Sequence, residues 1–99
     1  MFRILFAAAV EGDLKAIAPY HRNRILDEIE ESLAHEPTVP SRNRKLLVNL
    51  LPPWEATSLV WELRSGDYRV FYDVDPAGLT VNIRAIRKKP RGKTTEDIL

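Results

Sequence analysis

The sequence predicts an α+β fold: an N-terminal strand and a helical hairpin packed on one face of a mainly antiparallel sheet of about four strands. Three observations predict it. Residues 2–6 form a short apolar run of strand length. Residues 10–33 carry apolar side chains at helical spacing. Residues 58–87 hold three runs in which apolar and polar side chains alternate. A chain of 99 residues suits one domain, residues 1–99, with one modest core.

The first strand opens the stretch MFRILFAAAV, where a basic residue precedes seven apolar ones. Secretory signals begin in this way, but here the run meets Glu11 and Asp13 and is shorter than such segments. No stretch is long enough to span a bilayer. The expected location is therefore the cytoplasm, with which the absence of cysteine agrees. Without cysteine, packing must hold the core, with no disulfide and no thiolate metal site. Neither metal nor cofactor is expected. His21 and His35 are too few and too far apart for a zinc site, and are placed in or beside the second helix, away from the sheet.

Val10, Leu14 and Ile17 recur at i, i+4 and i+7, one face of a first helix that Gly12 weakens and Pro19 ends. Pro19 also suits the first turn of a second helix. There Ile25, Leu26, Ile29 and Leu33 form the buried stripe, Asp27, Glu28, Glu30 and Glu31 face water, and Pro37 stops the run. Residues 36–57 contain Pro37, Pro40, Pro52 and Pro53 around Arg42, Arg44 and Lys45, and predict a long ordered loop. Its apolar members Leu46, Leu47, Val48, Leu50 and Leu51 are expected to pack against the domain edge. Strands follow at about 58–64, 67–74 and 79–87, the last two joined through Pro76-Ala77-Gly78. The polar tail after Pro90 ends in a helical stub begun by Thr94 or Thr95 and followed by Glu96 and Asp97.

Side chains alternate faces along a strand, so the pairing register sorts them. A two-residue Ser65-Gly66 turn sets Leu63 opposite Tyr68, Trp61 opposite Val70 and Leu59 opposite Tyr72, which is an apolar face. The other face then pairs Arg64 with Asp67 and Glu62 with Arg69. Such pairs contribute roughly 0.2–1 kcal/mol each. Across the next turn, Val74, Tyr72, Val70 and Tyr68 oppose Leu79, Val81, Ile83 and Ala85, and Arg69 opposes Arg84. Two facing arginines repel unless an anion lies between them. Glu62 supplies one negative charge, and a phosphate fits the planar guanidinium fork. Lys88, at the parity of Arg84, together with Lys89 and Arg91, continues the basic track.

Charge is unevenly distributed although the net charge is only +1. Residues 1–41 hold four basic groups against seven acidic, and residues 64–99 hold eight basic against five acidic. Such a dipolar domain presents its basic part to a polyanion.

The string WELRSGDYRVFYDVD, Trp61 to Asp75, resembles the strand pair "L-R-x-G-x-Y-R-V-x-Y-x-V" of the RelE/ParE superfamily of bacterial toxins. The preceding SRNRKLL resembles that family's basic segment, and Ile83 to Lys89 resembles its last strand with a basic end. The order of strand, two helices and three strands is also similar, over nearly the whole chain. The resemblance implies the toxin of a type II toxin–antitoxin pair, neutralised by a cognate antitoxin that lays a helix or strand along it. It implies one of two activities. RelE-like members cleave or block mRNA on the ribosome, and ParE-like members inhibit DNA gyrase.

Carried over by position, Arg69 matches the sheet arginine that the RNA-cleaving branch sets on the scissile phosphate. Lys89, with Arg91 nearby, falls where that branch has a second arginine. Arg69 and Lys89 are the expected catalytic residues, and Arg64, Arg84, Lys88 and Arg91 the expected RNA or phosphate contacts. Two lysines of that branch fall at Val60 and Glu62, and its C-terminal tyrosine falls near Thr95. Cleavage needs a general base, a general acid and charge stabilisation. The arginines supply the last, and no residue is assigned to the other two. The leading expectation is an mRNA-directed translation inhibitor. The alternatives are a gyrase inhibitor and a catalytically degenerate module that still binds an antitoxin.

Overall fold

The computed structural model describes residues 1–48, 50–54 and 59–99. Strand β1 (Arg3–Phe6) leads into helices α1 (Ala8–Lys15) and α2 (Pro19–Leu33). Strands β2 (Arg44–Leu46), β3 (Trp61–Ser65), β4 (Tyr68–Asp75) and β5 (Thr80–Lys88) follow, and the short helix α3 (Thr95–Ile98) ends the chain. The sheet runs β1-β5-β4-β3-β2, with β1 parallel to β5 and every other pair antiparallel. The beginning of the strand expected at 58–64, at residue 58, and loop residues 49 and 55–57, lie outside the described residues.

The helices form where the spacing places them. Pro19 takes the first position of α2, and Ile25, Ile29 and Leu33 turn onto the sheet with at most 1% exposure each. Full burial of such a side chain stabilises by about 1.5–3 kcal/mol. They meet Trp61, Leu63, Val70, Tyr72, Val81 and Ile83, with Val10 and Ile17 from the α1 region completing the core. The Tyr72 hydroxyl donates to the Pro37 carbonyl, which satisfies a fully buried phenol.

The fifth strand, β2, falls where the sequence predicts loop. Its three residues carry no alternation that would announce a strand. Interactions with the surrounding chain hold it. The Ser41 hydroxyl accepts from the backbone N–H of Asn43 and Arg44. Arg44 Nε donates to the Val39 carbonyl at 2.8 Å, and Nη1 to the Ser32 carbonyl at 3.2 Å. Backbone bonds then run from Arg64 to Asn43 and from Leu47 to Val60.

The β3–β4 turn is Gly66-Asp67 rather than Ser65-Gly66. Gly66 has φ +58, the positive value that a tight hairpin requires at its first central position and that glycine adopts without strain. The pairs are Ser65–Tyr68, Arg64–Arg69, Leu63–Val70, Glu62–Phe71 and Trp61–Tyr72. Moving the turn by one residue slides the pairing by two, so the side chains of the paired strand residues keep their expected faces, while Asp67, expected opposite Arg64, enters the turn and lines the helical side. The expected Arg64–Asp67 and Glu62–Arg69 cross-strand pairs are replaced, and Leu59 lies before the strand, 65% exposed.

The β4–β5 pairing departs further. Phe71 opposes Ala85 while Tyr72 opposes Ile83, so Arg84 bulges out of the ladder. The bulge inverts the face alternation beyond it. Ile86 turns into the main core, whereas Ala85, expected on the core face, lies on the opposite face with Phe71 and Val60. That face is thus partly apolar. Trp54 and Leu47 from the β2–β3 connection, with Ile98 and Leu99 from the C-terminus, cover Phe71 as a second small core. Thr94 caps α3 reciprocally: its hydroxyl accepts from the Asp97 backbone, and the Asp97 carboxylate accepts from the Thr94 backbone.

Candidate nucleic-acid interface

On the sheet face turned away from α1 and α2, alternate positions of three strands bring their polar side chains together. Lys45 comes from β2, Glu62 and Arg64 from β3, and Arg69 from β4. Arg42 and Asn43 just before β2, and Lys89 just after β5, complete a cleft of about 230 Å³. Five basic side chains surround the single carboxylate of Glu62. A neighbouring depression of about 470 Å³ shares Lys45 and Lys89 and adds Lys93, Thr94, Thr95 and Glu96 over a floor of Leu46 and Leu47.

Arg69 is held by its own strand pair. Its Nη1 donates to the Gly66 and Tyr68 carbonyls at 2.9 Å each, and Nε lies 3.7 Å from Glu62 Oε1. Its side chain is only 11% exposed. Glu62 is buried. It accepts a 2.9 Å hydrogen bond from the Thr95 hydroxyl, and Lys45 Nζ stands 3.9 Å from its second oxygen. Arg64, directly across from Arg69, is exposed. Two like charges so placed destabilise the pair unless an anion compensates, and Glu62 does so from the floor.

The expected site residues divide. Arg69, Arg64 and Lys89 do meet in the cleft. Arg84 does not oppose Arg69; Arg87 does. Arg84 is spent on Asp73, which is only 2% exposed: Nε donates to Oδ2 at 2.7 Å and Nη2 to Oδ1 at 3.3 Å, while Asn82 Nδ2 donates to Oδ1 at 3.0 Å. Lys88 lies on the helical side, because the bulge changes its parity. Arg91 is exposed in the turn after β5 and lines neither depression. Arg87 turns to the β1 edge. There Asp13 Oδ2 accepts from its Nη1 at 2.9 Å and from the Ile86 backbone N–H at 3.1 Å.

The sequence does not mark Arg42, Asn43, Lys45 and Lys93 as site residues, yet they line the two depressions. The signal for the first three was the basic segment SRNRKLL, which reads as loop until β2 docks on β3. The sequence predicts His21 away from the sheet, yet its ring centroid lies 5.8 Å from that of Tyr68. Tyr68 and Tyr72 occupy the core side as expected. Burial pushes the Tyr72 phenol well above its usual pKa, with Arg44 opposing the shift.

Chemically, the cleft suits a chain of phosphates. Guanidinium and ammonium groups make charge-assisted bonds to phosphate oxygens, and release of counterions strengthens binding at low salt. Its lining includes neither histidine nor tyrosine. Among the described residues, no three His, Cys, Asp or Glu side chains gather as metal ligands, and no helix is long and apolar enough to cross a membrane.

A sequence model described as the ParE toxin of the type II toxin–antitoxin system parDE matches residues 4–91. No curated protein matches significantly. Among solved structures, a chain of the archaeal RelE–RelB complex from Pyrococcus horikoshii is 27% identical, with a TM-score of 0.68 over 94% of this chain and 98% of that one. A toxin–antitoxin complex from Mycobacterium tuberculosis gives 21% identity and a TM-score of 0.67, covering 89% and 98%. The isolated RelE toxin of E. coli shares the fold at 14% identity, with a TM-score of 0.62 over 94% and 89%.

Proposed function

Since the chain belongs to the ParE toxin family, within the RelE/ParE superfamily, it is the toxin of a type II toxin–antitoxin system, and we propose that it inhibits translation by taking ribosome-associated mRNA into the cationic cleft. The observation that carries this reading is the ring of Arg42, Lys45, Arg64, Arg69 and Lys89 around one buried carboxylate. Arg69, fixed by two carbonyls, supplies a preorganised charge at the floor. Lys89 lines the same cleft, and Arg64 and Arg42 follow the phosphate backbone. Strand capture is the part of the activity that this lining supports best. Endonucleolytic cleavage in the same cleft would draw its proton transfers from Glu62, Lys45 or Lys89.

Inducible expression without an antitoxin tests the proposal, with protein synthesis and RNA 5′ ends followed over time. Translation should fall first, and Arg64→Ala with Lys89→Ala should relieve it. Unchanged translation overturns the reading. The match to a ParE toxin model favours a second one, gyrase inhibition, in which loss of supercoiling and DNA-damage signalling precede any fall in translation. The Glu62–Thr95 bond, at a position where the RNA-cleaving branch has lysine and near the one where it has tyrosine, favours a third, an inactive module. In that case Arg69→Ala is silent in cells while antitoxin binding persists.

The partner under each reading is a cognate antitoxin, acting in the cytoplasm. The neighbour from Pyrococcus horikoshii is itself in complex with RelB. Val48 and Leu51, 71% and 94% exposed, offer apolar surface of the kind an antitoxin segment covers.

A further inference from the structure

The opposite side of the sheet holds a second basic cavity. It lies where the β3–β4 turn meets the first turns of α2, and encloses about 130 Å³. A single water needs only about 10–15 Å³ of such space, so the cavity admits a polyatomic group. Arg24, Lys88 and His21 line it against one carboxylate, Asp67. Glu28 engages Arg24 through Nε alone, at 3.2 Å. The two Nη groups lie over the turn, where a Cβ added at Gly66 would stand 3.3 Å from Nη1 and 3.5 Å from Nη2. They take no hydrogen-bond partner among the described residues.

A second observation stands apart from this charge. Ser65, also in the lining, is 3% exposed, and its Oγ is buried without a hydrogen-bond partner. Buried hydroxyls are nearly always satisfied, because leaving one unpaired costs free energy. A group that accepts from Ser65, Arg24 and Lys88 together must be a compact anion with several oxygens. The geometry points to a phosphate-binding site on the helical side of the hairpin turn, formed by Arg24, Ser65 and Lys88 beside His21. It does not depend on the activity assigned to the outer cleft. It also gives Lys88 a use that its position denies it in that cleft.

The ligand's chemistry is a phosphate group, free or as a phosphodiester. The full chain is titrated with inorganic phosphate and followed by backbone-amide NMR. Saturable shifts should centre on Ser65, Gly66, Tyr68 and His21. Arg24→Gln and Lys88→Gln should each weaken binding about tenfold through loss of a charge-assisted bond. Arg64→Gln, on the cleft side, should leave it unchanged. Lys88 is exposed, so its variant folds normally even if Arg24→Gln does not. Ser65→Ala should weaken phosphate binding while raising thermal stability. Higher stability at unchanged affinity would mean that the hydroxyl is not a ligand and would overturn the site as drawn. So would shifts that never saturate, that fall only on Arg64 and Lys89, or that titrate with unchanged affinity in Lys88→Gln. A short oligoribonucleotide separates the sources. Competition with phosphate at the same amides identifies a nucleic-acid backbone as the ligand, and no competition identifies free phosphate; either result upholds the site.

Discussion

The Thr95 hydroxyl donates a 2.9 Å hydrogen bond to Glu62 Oε1, latching the C-terminal helix to the carboxylate at the floor of the cationic cleft. Glu62 is 6% exposed and receives no closer hydrogen bond. Thr95→Val keeps the side-chain volume and removes the donor. An unsatisfied buried acceptor costs roughly 1–3 kcal/mol, so urea unfolding should show a loss in that range. Ile98 and Leu99, which pack on Phe71, should become more accessible to hydrogen exchange. Unchanged stability would mean that water replaces the hydroxyl.

The basic residues should sort into two classes under substitution. Arg64→Ala and Lys89→Ala remove exposed or half-exposed cleft cations, and should lower affinity for single-stranded RNA. Removing one cation that neutralises a phosphate should reduce the log K against log salt slope by about 0.7. The effect of either substitution on stability should stay within about 0.5 kcal/mol. Arg84→Ala should do the reverse. RNA affinity changes little, but the Asp73 carboxylate loses its cationic partner and keeps only Asn82, costing roughly 1–3 kcal/mol. Equal RNA effects for all three variants would contradict this division.

Gly66→Ala tests the hairpin turn. Its φ of +58 strains any side chain, and the new methyl would crowd the Arg24 guanidinium at 3.3 Å. A cost of about 1–2 kcal/mol is expected from the left-handed conformation. The Arg69 Nη1 bond to the Gly66 carbonyl should loosen with it, and a combined fall in melting temperature and RNA affinity is the expected reading.

Alkaline pH should expose the buried phenol. The pKa of Tyr72 is raised in the folded state above its ordinary value of 10.0, chiefly by burial. The unfolded chain therefore loses this proton first. The contribution to stability is complete below pH ~10 and is lost as pH rises from there towards the folded-state pKa. Unfolding free energy should consequently fall more steeply above pH ~10 in the parent chain than in Tyr72→Phe. Parallel curves for the two proteins would rule this out.

Much of the sheet was legible because its signal has period two. Trp61, Leu63, Val70 and Tyr72 line the core although the turn lies one residue later than expected, since a two-residue slide preserves faces. Of the expected α2 stripe, Ile25, Ile29 and Leu33 were legible for the same reason, at helical period, whereas Leu26 is only half-buried. Strand β2 was not. Its side chains carry no period, and its place depends on the hydrogen bonds that Ser41 and Arg44 make, Arg44 with distant backbone.

By itself, the amino-acid order determined which strands and helices exist, β2 excepted, which faces turn inward along β3, β4 and β5 as far as Ile83, and that Arg64 and Arg69 share a side. These follow from local periodicity, which a chain carries without reference to its neighbours. Only the tertiary structure decided which cations are free. The bulge at Arg84 is a mismatch between two strands and is written in neither alone. It hands Arg84 to Asp73, sends Lys88 to the helical side, and leaves Lys89 beside Arg69.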